Sequence, residues 1–262
     1  MSHELDTHAP LILFIGGHDP TGGAGLQADL ETAVAHGCTA ISLVTCLTSQ
    51  DSHDVQALYP QRPAQLRQQA EKLLADLRPK VLKIGLLGAP EIASMVAGVI
   101  QDLRLPVVLD PVLAAGGGAS LSNAPLLNVI EEQLLPLTTL LTPNRAEARR
   151  LAHSENTGEA AQVLLQRGCG SVLITGADEA QGDRVVNRLY SSGDQVDFEW
   201  PRLPHTYHGS GCTLASACAC ELALGQTIEQ AVRHAQQFTW QTLSDAQKIG
   251  SGQHFPNRRG RP

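Results

Sequence analysis

The sequence lacks the features that mark membrane proteins and nucleic-acid binders. No apolar run approaches the length of a membrane span, and residues 1–10 contain neither a basic segment nor an apolar segment of the kind that directs export. Positive charge is in deficit, with 19 Lys and Arg against 26 Asp and Glu. A chain with this balance is poorly suited to a nucleic-acid backbone. We therefore expect a cytoplasmic protein that has neither a membrane nor a nucleic acid as partner.

Metal-binding and disulfide patterns are also missing. The six cysteines include no C-x-x-C pair, and the ten histidines include no H-E-x-x-H spacing. We therefore expect reduced thiols and no structural transition-metal site. No repeat, low-complexity linker or shift in composition divides the 262 residues. This predicts one domain over 1–262, with flexible tails at 1–9 and 256–262.

Short apolar runs alternate with segments of helical period along most of the chain, which predicts an α/β fold with a mostly parallel sheet covered on both faces. The predicted parallel strands are 11–16, 40–45, 81–85, 106–110, 138–142 and 171–175. Two of the helical segments place Leu26, Leu30, Ala33 and Val34, and then Ile92, Val96, Val99 and Ile100, on single helical faces. Two alternating strands within 185–200 predict an antiparallel hairpin at a sheet edge.

A glycine-rich turn at Gly209, Ser210 and Gly211 leads from an extended segment into a helix that begins near Cys212. Glycine tolerates positive φ and leaves backbone N–H groups bare, and these groups would meet the positive end of the helix dipole. The pattern predicts an anion site, with Cys212 in a field that favours thiolate over thiol. The alternative is a glycine-rich connector followed by a small buried cysteine.

Polar groups after the first two strands form a second candidate surface. The loop GGHDPTGGAGLQAD contains five glycines that let the backbone wrap a ligand, and it ends at Asp29. It is neither a dinucleotide fingerprint nor a Walker loop, because the third glycine and the Gly-Lys-Ser/Thr sequence are absent. Gln50 carries an amide that both donates and accepts, which suits a pyrimidine or pyridine edge. The alternatives are a merely tight turn and a solvated loop glutamine.

Oxygen-bearing side chains follow the later strands. Asp110 ends the fourth predicted strand, and Asn144 and Glu147 follow the fifth. Because ligands of parallel sheets bind beyond the carboxyl ends of the strands, these groups are candidates for holding Mg²⁺, directly or through water. Alternatively, Asn144 caps the next helix and Glu147 completes a capping box.

Six motifs, in this order over nearly the whole chain, resemble the hydroxymethylpyrimidine/phosphomethylpyrimidine kinase family of thiamin biosynthesis, a branch of the ribokinase-like superfamily. They are GGHDPTGGAGLQADLET, LTSQ, KIGLLG, VVLDPV, LLTPNRAEA and HGSGCTLASA. Each motif is weak alone, whereas their order and spacing are specific. The cysteine of GSGCT distinguishes this branch from sugar kinases, which have aspartate at the matching place. The closing GSGQHF also resembles the family's C-terminal signature.

The resemblance implies a ribokinase-like three-layer αβα sandwich, a homodimer, and transfer of the γ-phosphoryl group of ATP, with Mg²⁺, to 4-amino-5-hydroxymethyl-2-methylpyrimidine and then to its monophosphate. It leaves open whether a monovalent cation assists. The implied catalytic residues are Gly209, Ser210, Gly211 and Cys212. The implied pyrimidine contacts are Gly17, Asp29, Gln50, Leu86 and Val112. The implied ATP contacts are Asp110, Asn144, Glu147, Thr175 and Gly176, of which Asp110 and Glu147 would face Mg²⁺.

Two lysines that are usual in the family are absent. Gly116 lies in AAGGG, where AKSG is usual, and Thr175 stands where a second lysine is usual. Because either lysine would serve a nucleotide or substrate phosphate, the second phosphorylation stays open, with Lys83, Arg145 and Arg149 as candidates to compensate. Two alternatives remain: a pyridoxal or pyridoxine kinase, and a non-catalytic sensor of the pyrimidine. Asp29 and Gln50 favour an aminopyrimidine.

Overall fold

The computed structural model of the chain describes residues 9–178 and 182–259. Its strands are β1 Leu11–His18, β2 Thr39–Gln50, β3 Val55–Pro60, β4 Val81–Ile84, β5 Val107–Leu109, β6 Leu140–Leu141, β7 Ser171–Ile174, β8 Arg184–Ser191 and β9 Asp194–Pro201. They form one sheet in the order β3-β2-β1-β4-β5-β6-β7-β8-β9. The strands from β2 to β7 in that order pair in parallel, whereas β3, β8 and β9 pair antiparallel.

Helices cover both faces of this sheet. They are α1 Gly25–Ala35, α2 Pro63–Asp76, α3 Pro90–Leu103, α4 Ala124–Val129, α5 Arg145–Ala152, α6 Thr157–Gln166, α7 Ser210–Ala223 and α8 Ile228–Ser244. A π-helical segment, Ile130–Leu134, and a 3₁₀ segment, Leu135–Leu137, continue α4. One core cluster joins the sheet to helices α2 to α6, and a second joins it to α1, α7 and α8.

Strand β1 shows why the core has two halves. Leu13 and Ile15 point into the cluster with α3, whereas Ile12 and Phe14 point into the cluster with α7. All four side chains are fully buried, because neighbouring residues of a strand face opposite sides of the sheet. The predicted α/β sandwich, its parallel centre and its edge hairpin, formed by β8 and β9, are confirmed.

The second strand and its partner differ from the prediction. Strand β2 continues to Gln50, five residues beyond the predicted end, and pairs with β3, a strand that was not predicted. Two predicted apolar positions of α1 also lie outside the core: Leu30 is partly exposed and Val34 is 75% exposed. The helical period alone does not reveal where the covered face of a short helix ends.

The part of the C-terminal segment that the structure describes, up to 259, is docked where the sequence predicts a flexible tail at 256–262. The backbone N–H of Asn257 donates to the carbonyl of Thr242 at 2.9 Å, and Phe255 forms bridge hydrogen bonds with Gln247. Pro256 is buried and Arg258 is only 3% exposed. The polar sequence of this segment has no apolar periodicity, so its anchoring depends on tertiary partners. The predicted tail at 1–9 lies almost entirely outside the described residues.

The helices in residues 9–178 and 182–259 lack the character of membrane spans. None of them combines the length and the apolar character that crossing a membrane requires.

Candidate active site

The glycine turn adopts the conformation that the sequence predicts. Gly209 precedes α7 with φ 79°, in the left-handed region. The first residues of α7 are held by Thr213, whose backbone N–H and hydroxyl both donate to the carbonyl of Gly209, at 2.9 and 2.8 Å. Gly211 is exposed, and no atom lies within 4 Å of the place where its Cβ would stand. The amino end of α7 is therefore open to a ligand, with unpaired N–H groups of the kind that bind anions.

The turn lies directly against the loop that follows β1. A Cβ on Gly209 would stand 2.0 Å from the carbonyl oxygen of Gly23, and a Cβ on Gly23 would stand 2.2 Å from the ring of His208. Only glycine fits at either position. The distance between these two loops is therefore short enough for a small substrate to span both.

A contact between a histidine and a carboxylate joins the same two segments. Nε2 of His208 lies 2.7 Å from Oδ2 of Asp19, and the side chains are 11% and 2% exposed. The Asp19 carboxylate also accepts hydrogen bonds from the N–H groups of Thr21 and Ala24, both at 2.8 Å. Asp19 thus organises its own loop and binds it to the residue before Gly209.

Lys83 lies beneath this contact, between the sheet and helices α1 and α7. Its Nζ is 2.8 Å from Oδ1 of Asp29, which also accepts a hydrogen bond of 2.6 Å from the hydroxyl of Ser216. Lys83 and Asp29 are both fully buried. Burial disfavours the Lys83 charge, but attraction by the carboxylates of Asp29 and Asp110 outweighs it and raises the pKa of Lys83. Lys83 is therefore a permanent buried cation, not a charge at the end of a strand.

The charge state of Cys212 contradicts the sequence prediction. Burial raises the pKa of Cys212 to about 12, and the charges of Asp110 and Asp29 add to this effect, although Lys83 and a hydrogen bond from the Gly25 N–H oppose it. Desolvating a thiolate is costly at this position. The residue is a protonated thiol, and it lies close enough to the Asp110 carboxylate to lower the pKa of that group.

Asp110 and Glu147 form an acidic pair on the far side of Cys212. Burial raises the pKa of Asp110 to about 6, although Lys83 lowers it. Burial and the nearby charge of Asp110 raise the pKa of Glu147 to about 8. Oδ2 of Asp110 is buried and has no hydrogen-bond partner in the described part of the chain. Two mutually repelling carboxylates with an unsatisfied oxygen fit a divalent cation, and Mg²⁺ is commonly held by one or two carboxylates together with water and phosphate oxygens.

The capping-box alternative for Asn144 and Glu147 is also realised. The Asn144 side chain accepts from the N–H of Glu147 at 2.8 Å, and Oε2 of Glu147 accepts from the N–H of Asn144 at 3.0 Å. Oε1 of Glu147 accepts from the N–H of Leu113 at 3.2 Å. These bonds fix the Glu147 carboxylate beside Asp110, so the local structural role and a metal-binding role are compatible.

The residues implied as pyrimidine contacts are only partly brought together. A Cβ on Gly17 would stand 3.0 Å from Leu86, so these two form one small apolar surface. Val112 is half-buried and its N–H donates to the carbonyl of Asp110 at 2.9 Å. Asp29 is fully buried with Lys83 and Ser216, and only its Oδ2 lacks a hydrogen-bond partner among the described residues.

Gln50 lies at the end of β2 rather than in a loop. Its amide Nε2 donates to the hydroxyl of Thr48 at 2.9 Å, and that hydroxyl donates to the carbonyl of His18 at 2.9 Å. This chain of hydrogen bonds connects the amide to the end of β1. Gln50 is thereby oriented by the same strand that leads into the glycine loop.

The turn at Thr175 and Gly176 is held by neighbouring elements. Thr175 forms an isolated parallel β-bridge with Asn144, and the N–H of Gly176 donates to the side chain of Asn187 at 2.9 Å. A Cβ on Gly176 would stand 2.9 Å from a guanidinium nitrogen of Arg145. Among the three candidates to replace the missing lysines, Arg145 is thus the cation that lies at this turn.

Three loops interlock beside the site: 51–54, 115–119 and 250–254. A Cβ on Gly117 would stand 2.3 Å from the carbonyl of His53, and the N–H of Gln253 donates to the carbonyl of Ser52 at 2.9 Å. A Cβ on Gly116 would stand 2.9 Å from the side-chain oxygen of Gln253. The place of the first missing lysine is therefore occupied by the C-terminal segment.

Sequence reasoning missed several residues of this region. They are Asp19, His208, Ser216, Gln253 and Arg258, and the role of Lys83 was left undecided. The HDP motif and the histidine before the glycine turn were signals for the Asp19–His208 pair. Each places a polar residue beside a glycine-rich loop, and these residues can contact each other where the two loops meet. Nothing in the local sequence indicates the partners of Ser216, Gln253 or Arg258.

Comparison with known proteins shows the same relationship over most of the chain. A family model described as phosphomethylpyrimidine kinase matches residues 19–257. The hydroxymethylpyrimidine/phosphomethylpyrimidine kinase of Synechococcus elongatus is 38% identical over 252 residues, covering 93% of this chain and 95% of that protein.

Two solved structures have the same fold. The pyridoxal kinase of Staphylococcus aureus in complex with AMP-PCP and pyridoxal has a TM-score of 0.88 at 25% identity, covering 96% of this chain and 94% of that one. The phosphomethylpyrimidine kinase of Clostridium difficile has a TM-score of 0.77 at 28% identity, covering 90% and 99%. The fold is therefore common to a kinase named for pyridoxal and one named for phosphomethylpyrimidine.

Proposed function

The chain belongs to the phosphomethylpyrimidine kinase family, whose members are kinases, and on that premise we propose that it phosphorylates 4-amino-5-hydroxymethyl-2-methylpyrimidine, its monophosphate, or both, using ATP. The observation that carries this proposal is the direct contact of the Gly209 turn with the loop after β1. It brings a candidate phosphate site and a candidate ring site within the length of one small alcohol.

The backbone N–H groups of the turn 209–212 would bind the phosphoryl group in transit. Phosphoryl transfer has a loose transition state with charge spread over the equatorial oxygens, so fixed donors at a helix amino end stabilise it without reorganisation. In the reaction the alcohol oxygen forms a bond to the γ-phosphorus, the bond from that phosphorus to the bridging oxygen breaks, and ADP leaves with the electron pair.

The Cys212 thiol would orient the alcohol rather than act as a preformed base. Its pKa of about 12 keeps it protonated near neutral pH, and it lies beside Asp110. The alcohol proton is lost late in a loose transition state and passes along this contact to the carboxylate. Lys83, buried beneath Cys212 and Asp110, keeps the network electrically balanced.

Asp110 and Glu147 are the residues that would hold Mg²⁺, directly or through water. The ion would supply charge neutralisation at the phosphate oxygens when it is bound. The chain's own part is to keep two buried carboxylates close together, which the capping box of α5 and the N–H of Leu113 accomplish. Thr175, Gly176 and Arg145 lie beyond them and are proposed to contact the nucleotide.

The ring would lie against Gly17, Leu86 and Val112, with Gln50 reading its polar edge, whereas Oδ2 of Asp29 is buried beneath the surface. An aminopyrimidine offers both donors and acceptors to such an amide, whereas a pyridine ring offers fewer. We therefore favour the pyrimidine alcohol over pyridoxal or pyridoxine. We also propose that the protein is a homodimer, supported by the exposed pair Leu47 and Tyr59, which lie opposite each other on β2 and β3.

The test is an ADP-release assay with MgATP and each of four acceptors: the pyrimidine alcohol, its monophosphate, pyridoxal and pyridoxine. Product formation is followed in parallel by ³¹P NMR. We expect turnover with the pyrimidine alcohol and a lower kcat/KM with both pyridines. A higher kcat/KM with a pyridine would assign the chain to the second function, and binding without ADP in any arm would make it a sensor. Activity with the monophosphate decides whether the chain catalyses the second phosphorylation although two lysines usual in the family are absent.

A further inference from the structure

Arg258 is an unusual residue to find buried. It follows immediately after the segment that the family model matches, 19–257, yet its side chain is only 1% exposed. Burying a guanidinium is costly unless it is paired and hydrogen-bonded. The next residue, Arg259, is 81% exposed, so the burial belongs to one arginine and not to the segment as a whole.

The guanidinium of Arg258 contacts both halves of the candidate site. Its Nε donates to the hydroxyl of Thr213 in the first turn of α7, at 2.8 Å. One terminal nitrogen donates to the carbonyl of Gly23 in the loop after β1. The other terminal nitrogen lies 3.4 Å from the Glu31 carboxylate on α1. One planar group therefore connects three separate elements.

These contacts reach the Gly209 turn from two directions. The Thr213 hydroxyl that receives Arg258 itself donates to the carbonyl of Gly209, at 2.8 Å. The Gly23 carbonyl oxygen that accepts from Arg258 also lies very close to Gly209. A Cβ on Gly209 would stand 2.0 Å from this oxygen. Arg258 thus holds the two atoms that set how closely the turn and the first loop approach.

From this geometry we propose that Arg258 is a positioning residue for the phosphate-binding turn. It sets the separation between the turn and the loop after β1, and through it the distance between the phosphoryl group and the alcohol oxygen. Lysine would not replace it, because a single ammonium does not reproduce the planar fork that reaches Thr213, Gly23 and Glu31 together. The proposal rests on the proposed function for its kinetic consequences, but its structural content is independent of activity.

The alternative is that Arg258 only anchors the C-terminal segment. An anchor would affect thermal stability and leave the kinetic constants of the folded enzyme unchanged. A positioning residue changes kcat, since a misplacement of about 1 Å at a reacting centre costs on the order of a hundredfold in rate. The two roles therefore differ in what a variant loses. A positioning residue lowers kcat, whereas an anchor lowers only the melting temperature.

The experiment compares Arg258→Ala, Arg258→Lys and the matched control Arg259→Ala, which removes the neighbouring arginine that also pairs with Glu31. Assays are run well below the melting temperature of each variant. We expect kcat for the pyrimidine alcohol to fall on the order of a hundredfold in Arg258→Ala, with KM for MgATP changed only a few-fold. Arg258→Lys should remain strongly impaired, Arg259→Ala should match the parent, and millimolar methylguanidinium should partly restore Arg258→Ala. A kcat equal to that of the parent in folded Arg258→Ala or Arg258→Lys overturns the proposal.

Hydrogen exchange provides a readout that does not require catalysis. The amides at 209–213 and 23–25 should exchange at least several-fold faster in Arg258→Lys than in the parent or in Arg259→Ala. If the parent itself lacks kinase activity, the proposed function fails, and exchange alone then decides the role of Arg258. Unchanged exchange at the turn would refute it.

Discussion

Lys83 and Asp29 form a fully buried ion pair, with Nζ 2.8 Å from Oδ1, directly beneath the helix that begins at the Gly209 turn. The pair joins the centre of the sheet to α1, and Ser216 of α7 completes it. A buried pair of this kind is weak evidence for stability in itself, because both charges have lost their water. Its position instead indicates that it maintains the electrostatic balance among Cys212, Asp110 and Asp29.

Breaking this pair should destabilise the protein strongly. Lys83→Met leaves the Asp29 carboxylate buried without its cation, so the free energy of unfolding should fall by about 3–5 kcal/mol in urea titrations. The double variant Lys83→Met/Asp29→Asn should recover most of that stability but not the activity. Equal destabilisation of the single and double variants would show that packing, not charge, accounts for the loss.

Replacing Cys212 should impair chemistry more than binding. In Cys212→Ala the alcohol loses the thiol that orients it, and kcat should fall about a hundredfold or more while KM for the pyrimidine stays within a few-fold. Cys169→Ala is the matched control, because Cys169 is buried near the amino end of β7, whereas the candidate site lies beyond the carboxyl ends of the parallel strands. Steady-state kinetics measure both effects, and an unchanged kcat would remove Cys212 from the mechanism.

The Asp19–His208 pair should make stability depend on pH in the acid range. Burial opposes the charge of Asp19, but the hydrogen bond and attraction of His208, with the bonds from Thr21, outweigh it and lower the pKa of Asp19. The stabilisation is therefore fully present above the ordinary pKa near 3.8 and is lost as pH falls through the lowered value.

Asp19→Asn should accordingly unfold at a lower temperature than the parent at pH 7, and the difference should shrink below about pH 4. Thermal unfolding between pH 3 and pH 7 measures it. Asp102→Asn, at an exposed pair with Arg67, is the control and should be nearly neutral. A difference that stays constant over this range would mean that the Asp19 charge does not contribute.

Removing the charge of Glu147 should stabilise the protein above about pH 4.5. Because the pKa of Glu147 is raised to about 8, the unfolded chain loses this proton at lower pH than the folded chain, and stability falls as pH rises from about 4.5 to about 8. Glu147→Gln avoids this loss and keeps one oxygen that completes the capping box, although its NH2 group cannot accept the second of the two N–H bonds that Glu147 accepts.

The ligand-free Glu147→Gln variant should melt several degrees above the parent at pH 8, with no advantage at pH 4, and should lose most of its activity. The exposed Glu155→Gln serves as the control. Calorimetry at both pH values checks the first point, and the ADP-release assay checks the second. A variant less stable than the parent at pH 8 would contradict the interpretation.

The β2–β3 face should determine the oligomeric state. Leu47 is 47% exposed and lies opposite Tyr59, which is 55% exposed. Leu47→Asp should convert a dimer to a monomer in light scattering coupled to gel filtration, because an unpaired carboxylate within an apolar interface is costly. Val34→Asp, at another exposed apolar position, should leave the dimer intact. A parent that is monomeric at all concentrations would dismiss the proposal.

The sequence by itself determined the elements whose signals are local. Apolar runs alternating with helical periods specify the parallel sheet and its two helical layers, and the Asn144–Glu147 spacing specifies a capping box, because backbone geometry alone sets which side chains face the same way. The six motifs, with their order, were enough to place the chain in its family.

Only the tertiary structure decided the charge states and the long-range contacts. The field at a helix amino end predicted a Cys212 thiolate, whereas burial beside Asp110 and Asp29 makes it a thiol. The C-terminal segment gave no apolar signal, yet Arg258 is buried against Thr213 and Gly23, far from it in sequence. Both outcomes depend on how much water is excluded and on which charges remain nearby, and those quantities are set by residues that meet only after the chain has folded.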